Sequence, residues 1–157
     1  MSTVLLATDG SDIAIAAMAR GVAILGRDHR FITLAVVPPA FVPTASTSPM
    51  DAHPILEDPE LEHQVEEAQR AMSDTEIHEL DAALGIHAEH LVETGEPGPT
   101  ICDVATEVGA DVIVVGTHGH GWIKRVLIGS VSTHVLHHAP CPVLVVRTDH
   151  TGEPEDG

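Results

Sequence analysis

The chain has 157 residues, 43% of them hydrophobic, and no apolar run approaches the 18 or more residues that a membrane span needs. Its 24 acidic and seven basic residues give a formal charge of -17, which argues against a nucleic-acid partner, because such surfaces neutralise phosphates with Lys and Arg. These properties predict one globular domain, residues 1–148, followed by an acidic tail, 149–157, that we expect to be disordered. The opening letters MSTVLLATDGS show neither a basic leader nor a cleavage site, so we expect a cytoplasmic protein without membrane insertion.

The first part of the chain alternates strand, helix and strand. Residues 3–8, TVLLAT, form an apolar run that DGSD stops, and IAIAAMARGVAILG then places its apolar residues at helical spacing. Residues 31–37, FITLAVV, are a second β-rich run, closed by two prolines. Residues 38–58 are rich in Pro, Ser and Thr and predict a long loop, which we expect to act as a lid or a mobile segment.

The middle of the chain repeats this alternation. Residues 59–84 predict an amphipathic helix with an acidic outer face, closed by Gly85. Residues 86–93 alternate apolar and polar side chains as a half-buried or edge strand does, and TGEPGPT then predicts a turn into the helical ICDVATEVG. Residues 110–116, ADVIVVG, are the most continuous β-branched run, which is typical of a central parallel strand.

The last elements complete an α/β pattern. Residues 130–138 predict a helix stopped by AP, and residues 142–147 a final strand. Five strands alternating with four helices predict a doubly wound five-stranded parallel sheet, order 3-2-1-4-5, with helices on both faces. Ligands of such sheets bind beyond the carboxyl ends of the strands, where the winding reverses, so we expect Asp9 and Gly116 to flank one crevice.

A glycine pattern follows the fourth strand. Gly116 and Gly119 can adopt positive φ and turn successive N–H groups inward as an anion nest. Gly129 and Ser130 open a helix whose first N–H groups lack intrahelical acceptors, and Ser132 adds a hydroxyl as a helix cap or a phosphate ligand. A plain strand-to-helix turn remains the alternative on spacing alone. GxxxxGK[ST] is absent, and no GxGxxG follows the first strand.

An adjacent basic pair lies between the two glycine clusters. Lys124 and Arg125 stand out because no other base follows Arg70 before them, although that interval holds many acids. We expect the pair to lie over or beside the phosphates of a bound ligand, with chance placement as the alternative.

The spacing Gly116-x2-Gly119-x9-Gly129-Ser130 closely resembles the ATP-binding branch of the universal stress protein family. The flanking VIVVGTHG and LIGSVSTHVLHHAPCPVLVVR share this resemblance, as do VLLATDGS and LAVVP near the start. It covers nearly the whole chain except the tail and parts of the 38–58 loop.

The resemblance implies that the glycine pattern holds an adenine nucleotide, ATP with Mg²⁺. It places the acid after the first strand near the ribose and phosphates, and the adenine base at the end of the second strand. The positions it implies are Ala7, Thr8, Asp9, Val36, Val115, Gly116, Gly119, Gly129, Ser130, Val131 and Ser132. It also implies at most slow ATP hydrolysis and a homodimer formed through the final strand, with Val143 and Val145 in the interface. Ala7 and Ala35 depart from residues common in the family, which we expect to alter affinity without breaking the motif.

The remaining residues leave weaker alternatives. His134 and His138, two of twelve histidines, have the i, i+4 spacing of a metal pair, but no HExxH or third ligand accompanies them, so we expect no specific metal site. Cys102 and Cys141 are expected to be free buried thiols. Asp9 either binds Mg²⁺ with ATP or caps the following helix.

Catalytic signatures are also missing, since the chain has no nucleophile elbow and no paired carboxylates at a recognisable turn. Three functions stay open: a nucleotide-dependent stress or signalling switch, which we favour; a slow ATPase or phosphotransfer enzyme; and a dimerising interaction module that needs no nucleotide.

Overall fold

A computed structural model describes residues 1–37, 78–117 and 128–148 of the chain. The elements within them are β1 Thr3–Thr8, α1 Asp12–Leu25, β2 Arg30–Val37, α2 78–84, β3 Ala88–Thr94, α3 Pro97–Glu107, β4 Val112–Gly116, α4 Ser130–His138 and β5 Val143–Val146. The strands form one five-stranded parallel sheet in the order β3-β2-β1-β4-β5. The predicted fold class and strand order are therefore confirmed.

Two apolar cores cover the two faces of the sheet. In the first, α1 and α2 pack on alternate residues of β1 and β2, with Val4, Leu6, Met18, Phe31 and Leu80 among the buried side chains. In the second, α3 and α4 pack on the opposite residues of the same strands, with Leu5, Ile32, Ile101, Ile113 and Val135 among them. Because side chains alternate across a strand, one apolar run such as β1 supplies both cores.

Local signals explain where several helices begin and end. Gly85 has φ +60 and donates its N–H to the Asp81 carbonyl oxygen at 2.8 Å, so it ends α2 in the left-handed conformation that glycine favours. The predicted turn over TGEPGPT is shorter than expected, since α3 already begins at Pro97. Proline suits the first turn of a helix, where its missing N–H leaves no intrahelical bond unmade.

Several predicted segments lie outside the described residues. They are the 38–58 loop, most of the predicted 59–84 helix, the Gly119 and Lys124–Arg125 region, and the 149–157 tail. Within the part of the chain that the structure does describe, no helix is long and apolar enough to cross a membrane.

Candidate functional site

The winding of the sheet reverses between β1 and β4, which lie side by side. The two strands are parallel, with Leu6 opposite Val114, so their carboxyl ends reach the same edge of the sheet. The helix that follows β1 packs on one face, and the helix that follows β4 packs on the other. This divergence opens the crevice in which ligands of doubly wound folds bind. Asp9 follows β1 and Gly116 ends β4, so both lie at this edge, as predicted.

The turn after β1 is held by its own side chains. The Asp9 Oδ1 atom accepts hydrogen bonds from the Ser11 N–H at 3.0 Å and the Ser11 hydroxyl at 2.6 Å. The Thr8 Oγ1 atom accepts the Gly10 N–H at 3.0 Å, and Gly10 has φ 78, which explains a glycine here. Ser11 then caps α1 by accepting the Ala14 N–H at 3.2 Å.

This geometry bears on the two roles that the sequence left open for Asp9. One oxygen of its carboxylate organises the residue that caps α1, so the side chain has a structural role whether or not a metal is bound. Sequence reasoning placed a turn at DGSD but did not name Gly10 or Ser11 among the candidate site residues. The signal was present in the letters DGS, because Asp, Gly and Ser are the residues that close such turns.

The residues before and after 118–127 are joined by backbone hydrogen bonds. Gly116 pairs with Val146 as the last residue of β4, and it is not among the glycines of positive φ. The nest conformation considered for it is therefore not the one it adopts. Thr117 donates its N–H to the Val146 carbonyl oxygen at 3.1 Å and accepts the Gly129 N–H at 2.8 Å. The end of β4 and the start of α4 are thereby fixed against each other.

Gly129 is required by space rather than by backbone conformation. Its φ of -70 suits any residue, but a Cβ atom at this position would lie 3.1 Å from the Thr117 carbonyl oxygen. The Gly129 carbonyl oxygen accepts the Thr133 N–H at 3.0 Å, the Thr133 hydroxyl at 2.8 Å and the Ser132 hydroxyl at 3.1 Å. The first turn of α4 is therefore anchored at its N-cap carbonyl.

The N–H groups of this first turn point out of a helix that has no side-chain cap. Ser130, Val131 and Ser132 come before the first residue whose N–H can bond within the helix. Ser130 and Val131 are exposed, whereas Ser132 is 2% exposed and its hydroxyl donates to the helix backbone. The N-terminus of α4 can thus offer backbone donors and the positive end of its dipole to an anion. The Ser132 hydroxyl serves the helix itself.

At three other predicted positions, mainly backbone groups face the ligand-binding edge of the sheet. Ala7 is 8% exposed and Val115 is 3% exposed, and both side chains belong to the second core. Val36, near the carboxyl end of β2, is half-buried and packs against the same core. A ligand at this edge would meet the main-chain groups of these residues.

The cysteine and histidine side chains singled out in the sequence are also placed. Cys102 and Cys141 are free; Cys102 is buried as expected, whereas Cys141 is only half-buried. Burial, aided by nearby carboxylates, raises the pKa of both thiols. The His134 and His138 rings stack with centroids 4.1 Å apart, and the His138 Nδ1 atom bonds the His134 carbonyl oxygen at 2.9 Å. Across residues 1–37, 78–117 and 128–148, no group of three or more His, Cys, Asp or Glu side chains could hold a metal ion.

Fold and site together define an α/β domain with an uncapped helix N-terminus at the switch point of a parallel sheet. The model of the universal stress protein family matches residues 1–147, and the chain belongs to this family. Universal stress protein YxiE of Bacillus subtilis is 32% identical over 150 residues, which cover 91% of this chain and 97% of that protein. Several other curated relatives match over less than half of their length. The universal stress protein A-like protein of Arabidopsis thaliana is 34% identical over 73 residues, which cover 46% of this chain and 42% of that protein.

Solved structures share the whole fold. Universal stress protein UspA from Lactobacillus plantarum superposes with a TM-score of 0.69 at 28% identity, covering 93% of this chain and 97% of that one. A universal stress protein in complex with cAMP superposes with a TM-score of 0.61 at 26% identity, covering 94% and 98%. A family protein from Arabidopsis thaliana with AMP bound shares the fold at 21% identity, with a TM-score of 0.62 and coverage of 99% and 97%.

Proposed function

We propose that this protein binds an adenine nucleotide, ATP with Mg²⁺, in the crevice between β1 and β4 and works as a nucleotide-dependent switch in stress signalling. The observation that carries the proposal is the uncapped N-terminus of α4, held beside the end of β4 by the hydrogen bond between Gly129 and Thr117. A helix start without a side-chain cap favours an anionic ligand through its N–H groups and its dipole. The cAMP complex of a relative 26% identical to this chain supports an adenine nucleotide as that ligand.

In this proposal the phosphates lie at the N-terminus of α4, on the N–H groups of Ser130 and Val131. The absence of a Cβ at Gly129 keeps the helix start close to β4. The turn after β1, with Thr8 and Asp9, lies near the ribose and the Mg²⁺ ion, and the backbone at the end of β2 holds the base. The remaining proposed contacts are Ala7, Val36, Val115, Gly116, Gly119 and Ser132.

Slow turnover is part of the proposal. The Asp9 Oδ1 atom already accepts two hydrogen bonds from Ser11, which hold the carboxylate in the turn and suit a positioning role better than that of a general base. The second candidate function is a slow ATPase or phosphotransfer enzyme. It differs from the first in one observable, the release or transfer of the γ-phosphate.

The β5 strand supports a homodimer as the assembly. It is an edge of the sheet, and Val143, Leu144 and Val145 are only half-buried in the single chain. An apolar edge strand is a template for pairing with another chain. A dimerising module that needs no nucleotide is the third candidate function, and it would keep this edge while losing the site. We further propose one domain over 1–148, a disordered tail and a cytoplasmic location.

The test begins with the nucleotide content of the protein. Purified protein is denatured and the supernatant is separated by chromatography, and apo protein is then titrated with ATP, AMP and cAMP, with and without Mg²⁺. The proposal expects carried or added adenine nucleotide at one per chain, with slow phosphate release. Fast phosphate release favours the enzyme, and no binding of any of the three nucleotides favours the nucleotide-independent module.

A further inference from the structure

Arg147 is the first residue after β5, at the edge of the sheet where the strands end. Gly116, the last residue of β4, lies opposite Val146 in the register of these two parallel strands. Continuing this register by one residue places Arg147 opposite Thr117. The exposed arginine therefore lies at the same edge as the crevice, one strand beyond β4.

Two consecutive hydrogen bonds link this position to the start of α4. Thr117 donates its N–H to the Val146 carbonyl oxygen at 3.1 Å, and its own carbonyl oxygen accepts the Gly129 N–H at 2.8 Å. Gly129 is the N-cap residue of α4. A single residue, Thr117, thus separates the backbone next to Arg147 from the helix N-terminus, and it is only 5% exposed.

The alternation of side chains along β5 gives the direction in which Arg147 points. Val145 packs against the second core, whereas Val146 belongs to the first. Because successive side chains of an extended strand point to opposite faces, residue 147 falls on the face of the second core, on which α4 packs. The long side chain of an arginine on this face can reach an anion bound at the N-terminus of α4.

The other arginines that the structure describes lie elsewhere. Arg20 is in the second half of α1, Arg27 follows this helix, and Arg30 begins β2, so all three lie toward the edge where the strands begin. The chain carries a formal charge of -17, which repels a polyphosphate. A guanidinium at the edge where the strands end offsets this repulsion close to the proposed site.

We propose that Arg147 contacts the outer phosphates of the bound nucleotide and gives the site a preference for a triphosphate over a monophosphate. This inference rests on the proposed function, since it assigns a further residue to the same site. The N–H groups of α4 can contact a phosphate of any adenine nucleotide, whereas the attraction of an added cation grows with the number of phosphate charges. Arg147 is therefore a specificity-determining residue of the crevice.

The test is calorimetric titration of the full-length apo protein with ATP and with AMP, each with Mg²⁺ at low ionic strength. The wild type should bind ATP more tightly than AMP. Arg147→Gln should lose affinity for ATP by about tenfold and keep its affinity for AMP. Arg147→Lys keeps the positive charge and should retain most of the preference. Arg27→Gln makes the same change of net charge at the opposite edge of the sheet and should bind both nucleotides as the wild type does.

A role of Arg147 in holding the β5 edge or the dimer would give a different result, because its loss would then weaken the binding of ATP and AMP alike. Added salt gives a second readout. It should lower the ratio of ATP to AMP affinity in the wild type and change it less in Arg147→Gln, since the variant lacks the attraction that salt screens.

The outcomes separate this inference from the proposed function. A wild type that binds AMP as tightly as ATP, or an Arg147→Gln variant that keeps the wild-type ratio of the two affinities, overturns the role of Arg147 and leaves the proposed nucleotide site standing. A wild type that binds neither nucleotide overturns both.

Discussion

The Gly129 N–H donates a 2.8 Å hydrogen bond to the carbonyl oxygen of Thr117, and the same oxygen leaves no comfortable room for a side chain at Gly129. The start of α4 is thereby held against the end of β4. Gly129→Ala would place a Cβ 3.1 Å from that oxygen, so the helix start or the strand end must shift by a few tenths of an ångström. We expect adenine-nucleotide affinity to fall about tenfold, or about 1.4 kcal/mol, measured by calorimetric titration.

Ala16→Ser is the control for this substitution, because Ala16 is exposed on α1. It should bind as the wild type does. Equal affinities for Gly129→Ala and the wild type would show that the close approach at Gly129 does not matter for the ligand.

The cap of α1 predicts a stability effect at Ser11. Ser11→Ala removes the hydroxyl that accepts the Ala14 N–H and donates to Asp9 Oδ1, while the backbone N–H that also donates to Asp9 remains. We expect the free energy of unfolding to fall by about 1 kcal/mol in urea denaturation. Ser11→Thr keeps the hydroxyl and should lose less, and a Thr variant as unstable as the Ala variant would argue against the cap.

The contact between α1 and β4 predicts a coupled pair. A Cβ at Gly21 would lie 2.6 Å from the Val114 Cγ1 atom, so Gly21→Ala overpacks the first core and should cost about 1–3 kcal/mol of unfolding free energy. Val114→Ala removes the clashing methyl groups, and the double variant should therefore be more stable than the sum of the two single changes predicts. Additive effects in a double-mutant cycle would contradict this packing.

Much of the fold was predictable because its signals are local. The apolar run at 3–8 matches β1, and the predicted end of the 59–84 helix matches the turn at Gly85. The parallel sheet followed from the βα alternation and the handedness of its crossovers, and the strand order is a common one for such sheets. Helix starts were less certain, as α3 shows, because a proline-containing stretch suits both a turn and a first helical turn.

The candidate site was predictable in position and less so in detail. The spacing and the resemblance located Gly129, but its close approach to Thr117 depends on how β4 and α4 pack. The inward hydroxyl of Ser132 is likewise a result of packing. The contact between Thr33 and His90 depends on the register of β2 and β3, which no local pattern specifies.

The ion pair between Arg30 on β2 and Glu89 on β3 predicts that the stability of the fold depends on pH. Two hydrogen bonds, of 2.9 and 2.8 Å, lower the pKa of Glu89. A carboxyl whose pKa is lowered by folding stabilises the fold above its unfolded pKa, and this contribution is lost as the pH falls through the folded pKa. Since both side chains are about half exposed, we expect a small effect that salt weakens.

Arg30→Gln isolates this pair. In the variant, the pKa of Glu89 should rise toward its ordinary value in an NMR titration of the side-chain carboxyl carbon. Unchanged titration of Glu89 would show that Arg30 is not the cause of the lowered pKa.

The buried thiol of Cys102 and the half-buried thiol of Cys141 are predicted to react slowly with an alkylating reagent. Burial raises the pKa of Cys102 and Cys141, which reduces the thiolate that reacts with iodoacetamide. At pH 8 we expect the folded protein to react at least about tenfold more slowly than the protein unfolded in urea. Cys102→Ala leaves Cys141 as the remaining thiol and so assigns its rate. Equal rates in folded and unfolded protein would contradict the raised pKa of both thiols.

Calorimetric titration of the apo protein with ATP and Mg²⁺ tests the central claim most directly. The account predicts saturable binding at one nucleotide per chain, and Gly129→Val, whose larger side chain meets the Thr117 carbonyl oxygen, should abolish it while Ala16→Val retains it. A correctly folded wild-type protein that binds neither ATP nor another adenine nucleotide would contradict the claim that the crevice between β1 and β4 is a nucleotide site.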